Sequence, residues 1–208
     1  MGPTNEMVYI VDDDVTIGEA LSSLLRANGK RVHIFTSGRQ FLDFERHDDC
    51  ACLVLDLRMP GLNGLEVQRS ISTEAGIPVI FITGRGDIPS TVTAMKKGAI
   101  DFLTKPVDEA ALLCSIERAL ELVRRSRKKA LEHANLLARY QSLTPREQQV
   151  LPLLVGGLLN KQAAGELGIT EYTVQIHRGH IMRKMEADSF ATLVKLASKL
   201  HLKPTNAS

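Results

Sequence analysis

The sequence predicts an α/β protein: a five-stranded, doubly wound parallel sheet, joined by a long helical linker to a small all-α helix-turn-helix domain. Three observations predict it. Short β-branched runs alternate with helical patterns through about the first 120 residues. These runs are apolar on both faces, as the strands of a parallel sheet covered on both sides must be. Between Pro106 and Pro145 there is no glycine or proline, and only helical periodicities follow.

Each element has its own signal. Residues 7–11 form an apolar strand ending in Asp12-Asp13-Asp14. Ile17, Leu21, Leu24 and Leu25 then share one helix face, and Gly29 stops that helix. Residues 31–35 read as a strand and 38–44 as a helix. Residues 52–55 are an apolar run ending at Asp56. Pro60-Gly61 and Asn63-Gly64 mark a loop before a helix over 65–71. A fourth strand, 78–82, ends in Thr83-Gly84; 88–97 reads as helix, and 100–103 as a strand broken at Lys105-Pro106. Residues 108–140 fit one helix of roughly 50 Å at 1.5 Å per residue. Leu112 or Leu113, Ile116, Leu120 and Val123 would face the sheet. The polar stretch Arg124-Arg125-Ser126-Arg127-Lys128-Lys129 reads either as a solvated face or as a phosphate-contacting or docking surface. Leu131, Ala134, Leu137 and Ala138 are expected to pack against something.

The rest is a short helical domain. Thr144 at N-cap, Pro145 at N1 and Glu147 at N3 make a capping box. Val150, Leu151, Leu154 and Val155 follow, with a kink expected at Pro152 and a stop at Gly156-Gly157. Asn160 is expected to cap a helix through Leu167, closed by Gly168, and Thr170 to cap the next, through about Met185. A tight glycine turn between two short helices is the signature of helix-turn-helix. On the second of these, Val174, Ile181 and Met185 form a buried stripe, with Gln175, Ile176, Arg178, Gly179, Met182 and Arg183 on the other face. A last helix over 189–199 offers Leu193, Ala197 and Leu200 for packing.

Charge is unevenly divided. The 208 residues carry +2, but residues 1–121 hold 12 basic against 18 acidic side chains, and residues 122–208 hold 14 against 6. The front half is therefore −6 and the back half +8. A basic half of this size points to a polyanion such as nucleic acid. No run of about 18 apolar residues exists, so no membrane-spanning helix is expected. The first residues show no basic segment ahead of an apolar run, and position 6 is not Ser or Thr, so neither a secretory signal nor a myristoylation site is expected. The three cysteines, Cys50, Cys52 and Cys114, form no C-x-x-C pair. They fit a reducing, cytoplasmic setting rather than a disulfide framework or zinc site.

The polar residues at the strand ends are the candidate site. Asp12 and Asp13 follow the first strand, Asp56 ends the third, Thr83 the fourth and Lys105 the fifth. Ligands in open α/β sheets bind outside the carboxyl ends of the strands, where these five side chains converge. Three crowded carboxylates repel one another, so they should take up protons or bind a hard cation. An all-oxygen set suits Mg²⁺, which keeps some of its waters. Strand alternation alone leaves open which of Asp12, Asp13 and Asp14 face the pocket.

The combination Val11-Asp12-Asp13, Asp56-Leu-Arg-Met-Pro60-Gly-Leu-Asn-Gly64, Thr83-Gly84 and Lys105-Pro106 resembles the receiver domain of two-component response regulators, over about residues 6–122. The resemblance implies a CheY-like fold, with Asp56 as the acceptor of a phosphoryl group from a sensor histidine kinase. It selects Asp12 and Asp13 for the acidic pocket, leaving Asp14 to cap the first helix. It implies Mg²⁺, or another divalent cation such as Mn²⁺, on Asp13, Asp56 and the backbone carbonyl of Arg58, with Asp12 acting through water. Lys105 and Thr83 would contact the phosphoryl oxygens, Phe102 would be the switch aromatic, and Lys105-Pro106 would be cis. Such chemistry needs charge neutralisation and in-line positioning more than covalent help.

The runs Leu143-Thr-Pro-Arg-Glu147, Leu159-Asn-Lys161-Gln-Ala-Ala, Thr173-Val-Gln-Ile-His177 and Ile181-Met-Arg-Lys184-Met185 resemble the LuxR-type DNA-binding domain, over about 142–202. Receiver plus this domain is the FixJ/NarL architecture. It implies a receiver over 1–122, a helical linker over 123–141 and a DNA-binding domain over 142–208. By that resemblance the helix after Thr170 enters the major groove with Gln175 and Ile176 facing bases, able to contact adenine and a thymine methyl. Lys161, Thr173, Arg178, Arg183 and Lys184 would mostly touch phosphates, which sets affinity rather than sequence. Gly179 stands where a longer, often basic side chain is common, and Gln175 where a positive one is frequent. The expected protein regulates transcription, and most simply activates it, without being an enzyme. Its expected partners are its kinase, promoter DNA, RNA polymerase and a second copy of itself when phosphorylated.

Two rival readings remain at this level. Val11-Asp12-Asp13-Asp14-Val15-Thr16 also fits the D-x-D-x-T box of haloacid-dehalogenase-like phosphatases, with Asp12 as nucleophile and Asp14 as acid/base. That reading leaves Asp56 and the whole basic half unexplained. A ligand-sensing, quorum-type regulator would share only the back half.

Overall fold

In the computed structural model, residues 6–46, 50–71, 76–84, 96 and 98–202 are described. Five strands, β1 (Glu6–Val11), β2 (Arg31–Phe35), β3 (Cys50–Asp56), β4 (Val79–Thr83) and β5 (Asp101–Thr104), form one sheet of order β2-β1-β3-β4-β5. Every neighbouring pair is parallel. Helices α1 (Val15–Ala27), α2 (Gly38–Asp43) and α3 (Gly64–Ile71) intervene. Of the helix expected over 88–97, only Lys96 falls within the described residues.

Strand alternation divides the core in two. Tyr9, Val11, Leu53, Leu55 and Phe81 pack on one side with Phe35, Phe41 and Val67. Val8, Ile10, Val54, Ile80 and Ile82 pack on the other with Leu21, Leu25, Leu112, Ile116 and Leu120. Successive strand side chains point to opposite faces, so a run apolar at every position is what a sheet covered on both sides needs. The strand order reverses at β1 and β3. A switch point of this kind opens a crevice at the strands' carboxyl ends.

Helix α4 (Glu109–Gln141) is continuous over 33 residues. The chain divides into two compact units, Met1–Ser126 and Arg127–Ser208, with the division inside this helix. In the first unit Glu6, buried at the start of β1, accepts from Lys30 Nζ at 3.0 Å and also pairs with Arg124. Arg124 and Lys30 both reach Glu117, at 2.5 and 3.2 Å. Arg125 pairs with Glu121 at 2.8 Å. Two members of the basic run therefore have acidic partners within their own unit.

The second unit holds α5 (Pro145–Val155), α6 (Asn160–Leu167), α7 (Glu171–Lys184) and α8 (Phe190–Lys199). The capping box at Thr144 and Glu147 forms as expected, and α5 runs on through Pro152. Gly168 closes α6 in the left-handed conformation, φ 63°, which a residue without Cβ adopts at little cost. Two expectations are corrected here. Leu131, Ala134, Leu137 and Ala138 are exposed, and Leu136 is buried in their place. Leu136, Tyr140 and Leu143 recur at i, i+4 and i+7 and all join the helical core, which fixes the phase of α4 and turns the other set outward. Asn160 is the first residue of α6 rather than its cap. The Gln162 amide oxygen accepts from the Leu159 amide at 2.8 Å, and Asn160 Oδ1 accepts from Arg178.

Candidate functional site

The first candidate site lies at the β1/β3 switch point. Asp12 follows β1, is fully buried, and accepts from the Asp14 amide at 3.0 Å. Asp56 ends β3 and accepts from the Arg58 amide at 3.2 Å. Lys105, just past β5, donates from Nζ to Asp12 Oδ2 at 2.7 Å and to Asp56 Oδ2 at 2.8 Å. The Lys105-Pro106 bond is cis. Asp13 is exposed at the mouth, and one carboxylate oxygen from each of Asp12, Asp13 and Asp56 lies within 4.8 Å of the others. Thr83 is buried at the end of β4, and its Oγ1 has no hydrogen-bond partner among the described residues. Phe102 is half-buried against the core, its ring 6.4 Å from that of Phe81. Asp12, Asp13, Asp56 and Lys105 are thus brought together, and Thr83 ends the strand between β3 and β5, its carbonyl accepting from the Lys105 amide at 2.7 Å.

Electrostatics follow from this packing. Burial raises the Asp12 carboxyl above its ordinary value, although the Lys105 ammonium pulls the other way. Burial alone would lower Lys105; its hydrogen bonds to Asp12 and Asp56 outweigh that and raise it. Among the described residues Lys105 is set against three carboxylates, so a further positive charge is favoured there. All its donors are oxygens, which fits a hard divalent ion.

Asp14 is the N-cap of α1, its Oδ1 accepting from the amides of Thr16 and Ile17 at 2.9 and 3.3 Å. That engagement removes it from the acid/base role of the phosphatase reading. In the sequence Gly64 belongs to a turn signal and to the receiver motif, and neither assigns it a packing role. A Cβ on Gly64 would lie 2.5 Å from the Asp56 carbonyl oxygen, so α3 can start this close to the end of β3 only with glycine there. No local pattern announces a close approach between segments.

The second candidate site is the exposed face of α7. Thr170 caps the helix, accepting from the Thr173 amide at 3.1 Å, and the two hydroxyls share a 2.8 Å hydrogen bond. Val174, Ile181 and Met185 are buried. Gln175, Ile176, Gly179 and Arg183 are exposed, as is Lys161 on α6. Arg178 and Lys184 are placed differently from the free phosphate ligands expected. The Arg178 guanidinium sits 4.5 Å over the Phe190 ring and donates to Asn160 Oδ1 at 3.4 Å. Lys184 Nζ pairs with buried Glu147 at 2.7 Å. Met182 is half-buried against the core rather than outward. Helical phase explains these residues: Arg178 and Met182 flank the buried stripe.

Burial works against charge on Glu147, but hydrogen bonds from Lys184 and the Thr144 amide prevail and hold its carboxyl below the usual range. A depressed folded-state pKa stabilises above the unfolded-state value and is lost as pH falls through the folded one. Glu147→Gln is expected to destabilise the helical unit by about 1–3 kcal/mol at neutral pH. The difference from wild type should shrink as pH drops below about 4, in denaturant melts followed by helicity.

Gly179 is interior to α7, and a Cβ there would meet nothing within 4 Å. Gly179→Ala should therefore raise stability by up to about 1 kcal/mol, read as a higher midpoint of unfolding. If Arg183 and its neighbours face DNA, Gly179→Lys should steepen the log–log salt dependence of binding by about 0.9.

Residues 8–117 match the response regulator receiver domain family, and residues 141–197 match the bacterial regulatory proteins of the luxR family. The chain belongs to the FixJ-like response regulators. It is 48% identical to the response regulator protein TmoT of Ectopseudomonas mendocina over 96% of this chain and 91% of TmoT. Among solved structures it resembles the response regulator StyR, at 49% identity and TM-score 0.84, over 93% of this chain and 98% of that one. Full-length FixJ from B. japonicum is 37% identical, with TM-score 0.56, over 94% of this chain and 97% of that one. This response regulator therefore joins a receiver domain to a LuxR-type DNA-binding domain and regulates transcription. No described helix is long and apolar enough to cross a membrane.

Proposed function

We propose that this response regulator is switched by phosphorylation of Asp56 and then binds promoter DNA through α7. We assign residues 1–122 to the receiver, 123–141 to a helical linker and 142–208 to the DNA-binding domain. The observation that carries the reading is the Lys105 ammonium bridging Asp12 and Asp56 beside the unpartnered hydroxyl of Thr83. An Asp56 carboxylate oxygen attacks the phosphorus of a kinase phosphohistidine. The O–P bond forms as the P–N bond breaks, and the imidazole nitrogen keeps the electron pair. Lys105 and Thr83 then hold two phosphoryl oxygens, which draws Lys105 away from Asp12. Phe102 is the aromatic that answers this change at β5.

Asp13, Asp56 and the Arg58 carbonyl would hold Mg²⁺ or Mn²⁺, with Asp12 acting through water. Such an ion would offset the negative charge that builds up on the transferring group. Its partners are its sensor histidine kinase, double-stranded promoter DNA and RNA polymerase, in the cytoplasm, and the protein works as an activator rather than an enzyme. Phosphorylation favours the homodimer, since one short recognition helix reads only half a site. Arg183, Lys161 and Thr173 supply phosphate contacts and Gln175 and Ile176 base contacts. Arg178 and Lys184 reach DNA only by leaving Phe190 and Glu147.

The test is Asp13→Asn, which removes one charged ligand while relieving repulsion among the three acids. Weaker Mg²⁺ binding and slow phosphoryl uptake are expected, with undiminished stability in the absence of metal. Wild-type uptake at limiting Mg²⁺ would remove Asp13 from the ligand set.

A further inference from the structure

The outermost strip of α7 includes, beside Ile176 and Arg183, one residue the family resemblance does not highlight, Tyr172. At 100° per residue, Tyr172, Ile176, Gly179 and Arg183 lie at i, i+4, i+7 and i+11, within about 40° of the line opposite buried Val174. Gln175 sits on the flank of that strip, about 80° from its centre. Tyr172 is 72% exposed and Ile176 41% exposed. Both are large apolar side chains held in water on neighbouring turns, one helical turn apart. No ring contact is formed by Tyr172 among the described residues. Gly179 follows directly and leaves the backbone bare on the same strip. A long aromatic, an aliphatic and then no side chain form a tapering apolar edge, which can lie close to a surface only if that surface is itself apolar at matching points.

The apolar feature of the major groove is the C5-methyl group of thymine. Cations that favour guanine, Arg or Lys, are absent from the first three positions of the strip. We propose that Tyr172 is a specificity-determining residue, its ring packing on a thymine methyl next to the base pair met by Ile176. This rests on the reading of α7 as the recognition helix. The phenol ring carries the contact; the hydroxyl does not.

The experiment uses the full-length, phosphorylated chain. Duplexes are selected from a random-sequence pool, and the selected site is titrated with wild type, Tyr172→Ala and Tyr172→Phe. Tyr172→Ala should bind the selected duplex about tenfold more weakly, while Tyr172→Phe stays close to wild type. Binding to unselected duplex and its salt slope should not change, because phosphate contacts are untouched. Replacing thymine by uracil, one position at a time, should weaken wild type at a position where Tyr172→Ala shows no further loss. Equal unfolding midpoints for the three proteins exclude a folding defect, as expected for so exposed a side chain. Unchanged affinity and unchanged selected sequence for Tyr172→Ala would overturn the proposal. If wild type selects no sequence at all, the recognition-helix reading fails as well, which separates the two failures.

Discussion

Asp56→Asn should take up no phosphoryl group from a small-molecule donor in Mg²⁺, under conditions that label wild type fully. The amide oxygen is a poor nucleophile, and the charge proposed to hold the metal is gone. The fold should survive: the amide oxygen still accepts from the Arg58 amide, and one of three mutually repelling charges is removed. Intact mass measurement of the full chain reads the result as one phosphoryl addition in wild type and none in the variant. Persistent labelling would move the acceptor elsewhere.

Gly64→Ala is the second large effect. The new Cβ would lie 2.5 Å from the Asp56 carbonyl oxygen, 3.0 Å from Leu57 Cα and 3.0 Å from a Phe81 ring carbon. Two of these are backbone atoms, so relief requires α3 or the strand end itself to move. The helix propensity gained from alanine, at most about 1 kcal/mol, cannot offset that. A net loss of about 2–3 kcal/mol is expected, with slower phosphoryl uptake because the loop after Asp56 carries the Arg58 carbonyl. Denaturant unfolding of the receiver and the labelling rate check the two parts separately. A variant as stable as wild type would show that the loop adjusts freely.

Much of the receiver was legible because its signals are local. Runs apolar at every position meant strands covered on both faces, and strand ends at Asp12, Asp56, Thr83 and Lys105 converge by topology alone. The capping residues Asp14, Thr144 and Thr170 act as their types require, since a cap is a contact over two or three residues. What escaped is long-range. The phase of α4 between 131 and 138 depends on which leucine meets the core of the helical unit, and the candidate sets differ by a fraction of a turn. Lys184 and Arg178 look like free cations in sequence, yet buried Glu147 and the Phe190 ring hold them. Gly64 looked like a turn residue and is a point of close approach.

Phosphorylation at Asp56 and DNA binding by α7 are proposed to be coupled. Titration of one selected duplex with the full chain, phosphorylated and unphosphorylated, at fixed salt, measures that coupling directly. The phosphorylated protein should bind more tightly, by a coupling of about 1–3 kcal/mol, or roughly 5- to 150-fold. Equal affinity of the two forms across the full titration would contradict it.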